Sequence, residues 1–146
     1  IILSANTAGT AVVNLTGGAS MLNLGGNLTL NTAGTLSGGS SSTVTLNGSS
    51  AQTLNLSAGI SYKHLSFNNS SGVTLGGAVT PANVTGNITI ASGTLNSGGF
   101  NMNLPGNWSN SGAFNTVSDT LAFSGTSAQT IGGSSATSFK NITINN

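Results

Sequence analysis

Apolar and polar residues alternate in short runs along the whole chain, and most runs stop at Asn or Gly. Leu28-Thr29-Leu30, Val44-Thr45-Leu46, Leu65-Ser66-Phe67, Ile88-Thr89-Ile90, Leu121-Ala122-Phe123 and Ile142-Thr143-Ile144 all share the pattern. A period of two predicts short β-strands with one buried face. Thr, Val and Ile suit pleated positions. Paired glycines at 17–18, 25–26, 38–39, 76–77, 98–99 and 132–133 punctuate the runs as turns. No stretch spaces its apolar residues for a helix, so an all-β chain is expected. The inward set is predicted to be Leu28, Leu30, Val44, Leu46, Leu54, Leu65, Phe67, Ile88, Ile90, Leu104, Leu121, Phe123, Ile131, Ile142 and Ile144. The Thr and Ser between them should face out.

The chain also repeats itself. Residues 48–69 return as 125–146, with 10 of 22 positions identical. Leu22-Asn23-Leu24-Gly25-Gly26-Asn27-Leu28-Thr29 returns as Met102-Asn103-Leu104-Pro105-Gly106-Asn107-Trp108-Ser109. The copies span approximately 6–69 and 86–146 of one domain, 1–146. A duplicated unit of about 77–80 residues divides into about four coils of about 20 residues. That predicts a β-solenoid (β-helix), whose coils stack by backbone hydrogen bonds around a column of Leu, Ile, Val and Phe. The copies should then superpose by translation along one axis with a modest twist. A β-sandwich of the same strands is the alternative, but a closed sandwich gives no reason for the duplication.

Composition changes the picture mainly through what it lacks. Charged residues make up 2% of the chain, against about 25% in ordinary globular proteins. Lys63, Asp119 and Lys140 are the only ones, with His64 titratable beside them. A formal net charge of +1 offers no basic patch for phosphates, so no nucleic-acid partner is expected. No run of apolar residues is long enough to span a membrane as a helix. Cysteine is absent, which excludes disulfides and thiolate metal sites. One acidic residue cannot supply the carboxylate pair that glycoside hydrolysis normally needs. His64 sits in a strand, and its repeat mate is Asn141. The sequence therefore predicts no enzyme activity, no cofactor and no metal site.

Other polar features read as scaffold. Gln52 and Gln129 each sit in Ala-Gln-Thr at a corner, where an amide can satisfy turn carbonyls of a neighbouring coil. Asn-x-Ser/Thr occurs at Asn14, Asn27, Asn47, Asn55, Asn68, Asn69, Asn83, Asn87, Asn107 and Asn141. These are formal glycan acceptor sites, but alternating Asn, Ser and Thr generate such triplets readily. Trp108 replaces Leu28 in the repeat, which places it in the core.

The segment Gly106-Asn107-Trp108-Ser109-Asn110-Ser111-Gly112-Ala113-Phe114-Asn115, then 120–131, then Phe139-Lys140-Asn141-Ile142-Thr143-Ile144-Asn145-Asn146, resembles the repeats of very large secreted, cell-surface β-solenoid proteins of Bacteroidetes-type bacteria. In those proteins a GNW.N.G.F segment precedes a V.F.G...Q.I.G.....F.NL.I.N segment. The resemblance implies a secreted or cell-surface location and an adhesive or structural role.

The sequence favours an extracellular structural protein, a subunit or segment of a self-assembling filament or stalk. Its partner is itself, end to end, through Ile1, Ile2, Leu3, Val12 and Val13 at one end and Phe139, Ile142 and Ile144 at the other. The alternative is an adhesin-type module for a glycan or surface. Ice binding is a weaker variant, since Thr-x-Thr occurs clearly only at Thr43-Val44-Thr45.

Overall fold

The computed structural model describes residues 2–3, 12–30 and 34–146. Among them there is no helix. The strands in chain order are β1 (Ile2–Leu3), β2 (Val12–Leu15), β3 (Met21–Leu24), β4 (Thr29–Leu30), β5 (Thr35–Gly38), β6 (Thr43–Leu46), β7 (Gln52–Leu54) and β8 (Ile60–Ser61). They continue as β9 (His64–Leu75), β10 (Ile88–Asn96), β11 (Met102–Leu104), β12 (Trp108–Asn110), β13 (Ala113–Asn115), β14 (Thr120–Phe123), β15 (Ile131–Gly132) and β16 (Asn141–Ile144).

All the pairings among these strands are parallel, and each joins a strand to one about a coil away. This is a β-solenoid, and parallel pairing rules out the antiparallel sandwich. Three ladders run along the stack. The first is β3–β6–β9–β10–β12–β15, in which Leu22, Val44, Leu65, Ile88, Trp108 and Ile131 succeed one another at unequal steps along the sequence. The second joins β7, the far halves of β9 and β10, and β13, and β1 pairs with β4 as a separate two-stranded sheet. The third runs β2–β5–β8 and then β11–β14–β16, linked by the bridges Tyr62–Val84 and Val79–Met102.

Strands β9 and β10 are long because each turns the corner from the first ladder to the second. The register between them shifts between Ile90 and Ser92 and again between Gly93 and Leu95. Gly93 makes the turn possible. Its φ is +73°, and a Cβ there would collide with the Asn69 carbonyl oxygen one rung below.

The core is the inward set expected from the alternation. Leu28, Val44, Leu46, Leu54, Leu65, Phe67, Ile88, Ile90, Leu104, Leu121 and Phe123 are buried, and the Thr and Ser between them are partly or fully exposed. The side chain of Leu30 lies outside the described residues. Ile131, Ile142 and Ile144 correct the expectation, at 48%, 46% and 58% exposed. Their register with Trp108, Leu121 and Phe123 continues the inward columns. They are open because in this structure no rung lies on their outer side.

The relation between the repeat copies also differs from a translation. Residues 22–24, 44–46 and 65–67 stack in the first ladder. Their counterparts 102–104, 121–123 and 142–144 stack in the third. The second copy is therefore turned by one face as well as displaced. Each ladder offers the same environment, a parallel rung with alternate side chains buried, so the same sequence seats on either face.

Candidate functional site

Two features stand out when the side chains are placed: polar ladders that tie rung to rung, and the two end rungs. The first polar ladder begins at His64. Its Nδ1 accepts the backbone N–H of Asn87 at 3.0 Å. Asn87 Oδ1 accepts the N–H of Asn107, and Asn107 Oδ1 that of Thr130, both at 2.9 Å. Elsewhere Asn27 serves Thr53 and Asn101 serves Thr120, also at 2.9 Å. Each side chain satisfies a donor at the start of the next rung, where the sheet ladder has not yet taken over. His64 thus does an asparagine's work. Burial, then the neighbouring Lys63 charge, lowers its pKa below the ordinary 6.5.

The second device is the glutamine corner. Gln52 Oε1 accepts the Gly48 N–H at 2.8 Å, and its Nε2 donates to the carbonyls of Leu24 and Gly26, each at 2.8 Å. Gln129 repeats this with Gly125, at 2.8 Å, and with the carbonyls of Leu104 and Gly106. The amides satisfy turn groups of the adjacent coil, as expected from Ala-Gln-Thr.

Asp119 is buried. Its Oδ1 accepts the Ser97 hydroxyl at 2.6 Å and the Val117 N–H at 2.9 Å, closing the turn into β14. Tyr62 is buried too, and its hydroxyl donates to the Asn55 carbonyl at 2.9 Å. Burial raises its pKa above the usual phenol range. Among the described residues, no three His, Cys, Asp or Glu side chains group as metal ligands would. Among the same residues, no helix is long and apolar enough to cross a membrane.

The residues expected to mediate self-association fall at opposite ends of the stack. Ile1 lies outside the described residues. Ile2 and Leu3 pair with Thr29 and Leu30 through β1, and their side chains lie outside the described residues. Val12 is 55% exposed and Val13 half-buried on β2, an edge paired among the described strands to β5 alone. Beside them Met21, on the edge strand β3, is 74% exposed. At the far end Ile142 and Ile144 stand open with Ile131. Phe139 differs from them. It is half-buried and packs its ring against Trp108, Phe114 and Phe123, at centroid distances of 5.8, 6.2 and 6.4 Å. It closes the core more than it offers a contact.

Met21 and Ile131 are not singled out for this role by the sequence, although both extend columns whose inner members are identifiable. Phe100 and Val117 are exposed as well, away from the end rungs. The outer face of the first ladder carries one column of Met21, Thr43, His64, Asn87, Asn107 and Thr130, and a second of Asn23, Thr45, Ser66, Thr89, Ser109 and Gly132. A regular threonine array is not formed there. Comparison with protein-family models, with curated proteins and with solved structures finds no match to this chain.

Proposed function

We propose that this chain is a structural rod element, a β-solenoid subunit or segment of a self-assembling filament or stalk at the extracellular cell surface. One observation carries the reading. Leu121 and Phe123 are 1% exposed where a rung covers them, whereas Ile142 and Ile144, next in the same columns, are 46% and 58% exposed. A further rung would bury them as it buries their neighbours. Open parallel edges with unpaired backbone groups favour the same addition. Stability here comes from apolar columns and neutral amide ladders, so a rod of this kind tolerates changes of salt. The secreted location rests on the resemblance to bacterial surface repeats.

The test is negative-stain imaging of the purified chain with and without residues 138–146. Rods with an axial repeat, lost on truncation, support the reading. Compact particles in both preparations reject it. A second reading, an adhesin-type module, is favoured by a shallow concavity on the first ladder lined by Thr43, His64, Ser66, Asn87 and Thr89. Its hydroxyl, amide and imidazole groups suit a neutral glycan, and binding to a glycan panel by the compact monomer would select it.

A further inference from the structure

The polar ladder that starts at His64 does more than tie rungs together. It also fixes which groups face the shallow concavity on the outer side of β6, β9 and β10. A backbone N–H can only donate, so His64 Nδ1, which takes the Asn87 N–H at 3.0 Å, is unprotonated. The neutral ring then carries its proton on Nε2. Asn87 Oδ1 takes the Asn107 N–H at 2.9 Å, which leaves Nδ2 as the free half of that amide. Neither His64 Nε2 nor Asn87 Nδ2 has a partner among the described residues, and no buried side-chain nitrogen or oxygen there lacks one. Both nitrogens are therefore open to solvent. The same holds for the hydroxyls of Thr43, Ser66 and Thr89, which line the concavity with them. All five residues are half-buried. Two donors of fixed sense thus stand on adjacent rungs, about 4.8 Å apart. The three hydroxyls around them can donate or accept.

We propose that this concavity binds an acetamido sugar. His64 Nε2–H and Asn87 Nδ2–H donate to the acetamido carbonyl oxygen, and Thr43, Ser66 and Thr89 meet the ring hydroxyls. The inference rests on the adhesin-type reading above and names its ligand. Because the site lies on the side of the stack, it is open in a rod and in a single copy alike. A sugar hydroxyl can meet a donor or an acceptor, so it gains little from a site of fixed sense. A carbonyl oxygen only accepts, and its two lone pairs match two donors. No aromatic ring lines the concavity, so discrimination has to come from these polar groups. A site that hydrogen-bonds a particular group discriminates well against the analogue lacking it. Lys63, the neighbouring cation, donates to the Thr85 carbonyl at 3.3 Å and does not line the concavity. That favours an uncharged acceptor over a carboxylate.

The experiment titrates the isotope-labelled full chain with N,N′-diacetylchitobiose and with cellobiose, following amide shifts by NMR. The two sugars share a ring skeleton and linkage and differ at the acetamido group. Shifts should centre on Thr43, His64, Ser66, Asn87 and Thr89. Diacetylchitobiose should bind at least about fivefold more tightly, as for one net hydrogen bond. His64→Ala should bring its affinity down to that of cellobiose. His64→Asn, which keeps an acceptor for the Asn87 N–H and a donor beside it, should restore it. Thr74→Ala, on the second ladder, should change nothing. If circular dichroism shows that His64→Ala loses its strands, the contrast between the two sugars and the His64→Asn variant still decide. Equal affinities for the two sugars, or binding of another glycan but not of diacetylchitobiose, overturn the acetamido assignment and leave the glycan reading standing. A folded His64→Ala that binds as the wild type does the same. A chain that shifts with neither sugar, nor with any member of the glycan panel, overturns both.

Discussion

His64 takes the backbone N–H of Asn87 on its Nδ1, one rung along the first ladder, at 3.0 Å. The acceptor has to be an unprotonated nitrogen. Burial and Lys63 both disfavour the charged ring, so the folded pKa lies below 6.5. The unfolded chain then binds a proton more readily than the folded one as pH falls. The stability associated with His64 is fully present above about pH 6.5 and is lost as pH falls through the folded value. His64→Asn keeps an acceptor, since Asn87 and Asn107 do this work in the same column, but does not titrate. The variant is expected to gain on the wild type as pH is lowered from about 7 to about 5 in urea unfolding series. A constant difference would show that folding leaves the pKa of the ring unchanged.

Gln52 and Gln129 make the same three contacts, one within the coil and two to the coil before it, yet their removal should differ. Gln52→Ala strands a buried N–H, two carbonyls and the Asn69 amide. The expected loss is at least about 2 kcal/mol. Gln129 is half-buried, so water replaces part of its network, and Gln129→Ala should cost less in the isolated chain. Amide exchange resolved by coil is the suitable measurement, because stacked repeats need not unfold in one step.

Phe67 stacks in the first ladder between Leu46 and Ile90 and is 1% exposed. Phe67→Ala should destabilise by about 3–5 kcal/mol. Ile144→Ala removes a half-open side chain and should cost under about 1 kcal/mol in dilute solution. Chemical unfolding of both variants at low concentration checks the contrast.

Asn47-Gly48 is the only Asn-Gly pair in the chain. Its ordinary fate is attack of the glycine nitrogen on the asparagine side-chain carbonyl, with release of ammonia, to give a succinimide that hydrolyses to Asp or isoAsp. Gly48 is buried and its N–H is held by Gln52. Deamidation should therefore be slow in the native chain and faster in Gln52→Ala. Mass spectrometry of peptides from aged samples reads the rate directly.

Alternation alone identifies the strands and the covered core, because a half-buried strand writes its two faces into every second residue. Leu46, Phe67 and Leu121 are legible for this reason. The corner role of Gln52 is legible because the glutamine recurs beside Gly48 and Gly125 at the same spacing. Exposure of Ile131, Ile142 and Ile144 is not, since burial in a stack depends on the next rung and not on the residue. Asn87 and Asn107 read as glycan acceptors, and their rung-to-rung bonds appear only once the register is known. The steps from Leu22 through Val44, Leu65, Ile88 and Trp108 to Ile131 are too unequal for a fixed period to supply that register. For the same reason the one-face turn between the repeat copies leaves no trace in the spacing.

That turn bears on how such a chain can lengthen. Copying a segment into a closed fold requires the insert to respect every partner of every strand. Here the second copy sits on a different ladder from the first, and its apolar columns and glutamine corner still form. The unit of growth is then one strand and its corner, not a whole coil. Insertions and deletions that shift all later residues onto a new face remain compatible with the fold. A gene encoding it can change length by unequal exchange at many points and still yield a continuous rod, with its surface features re-aimed around the axis at each event.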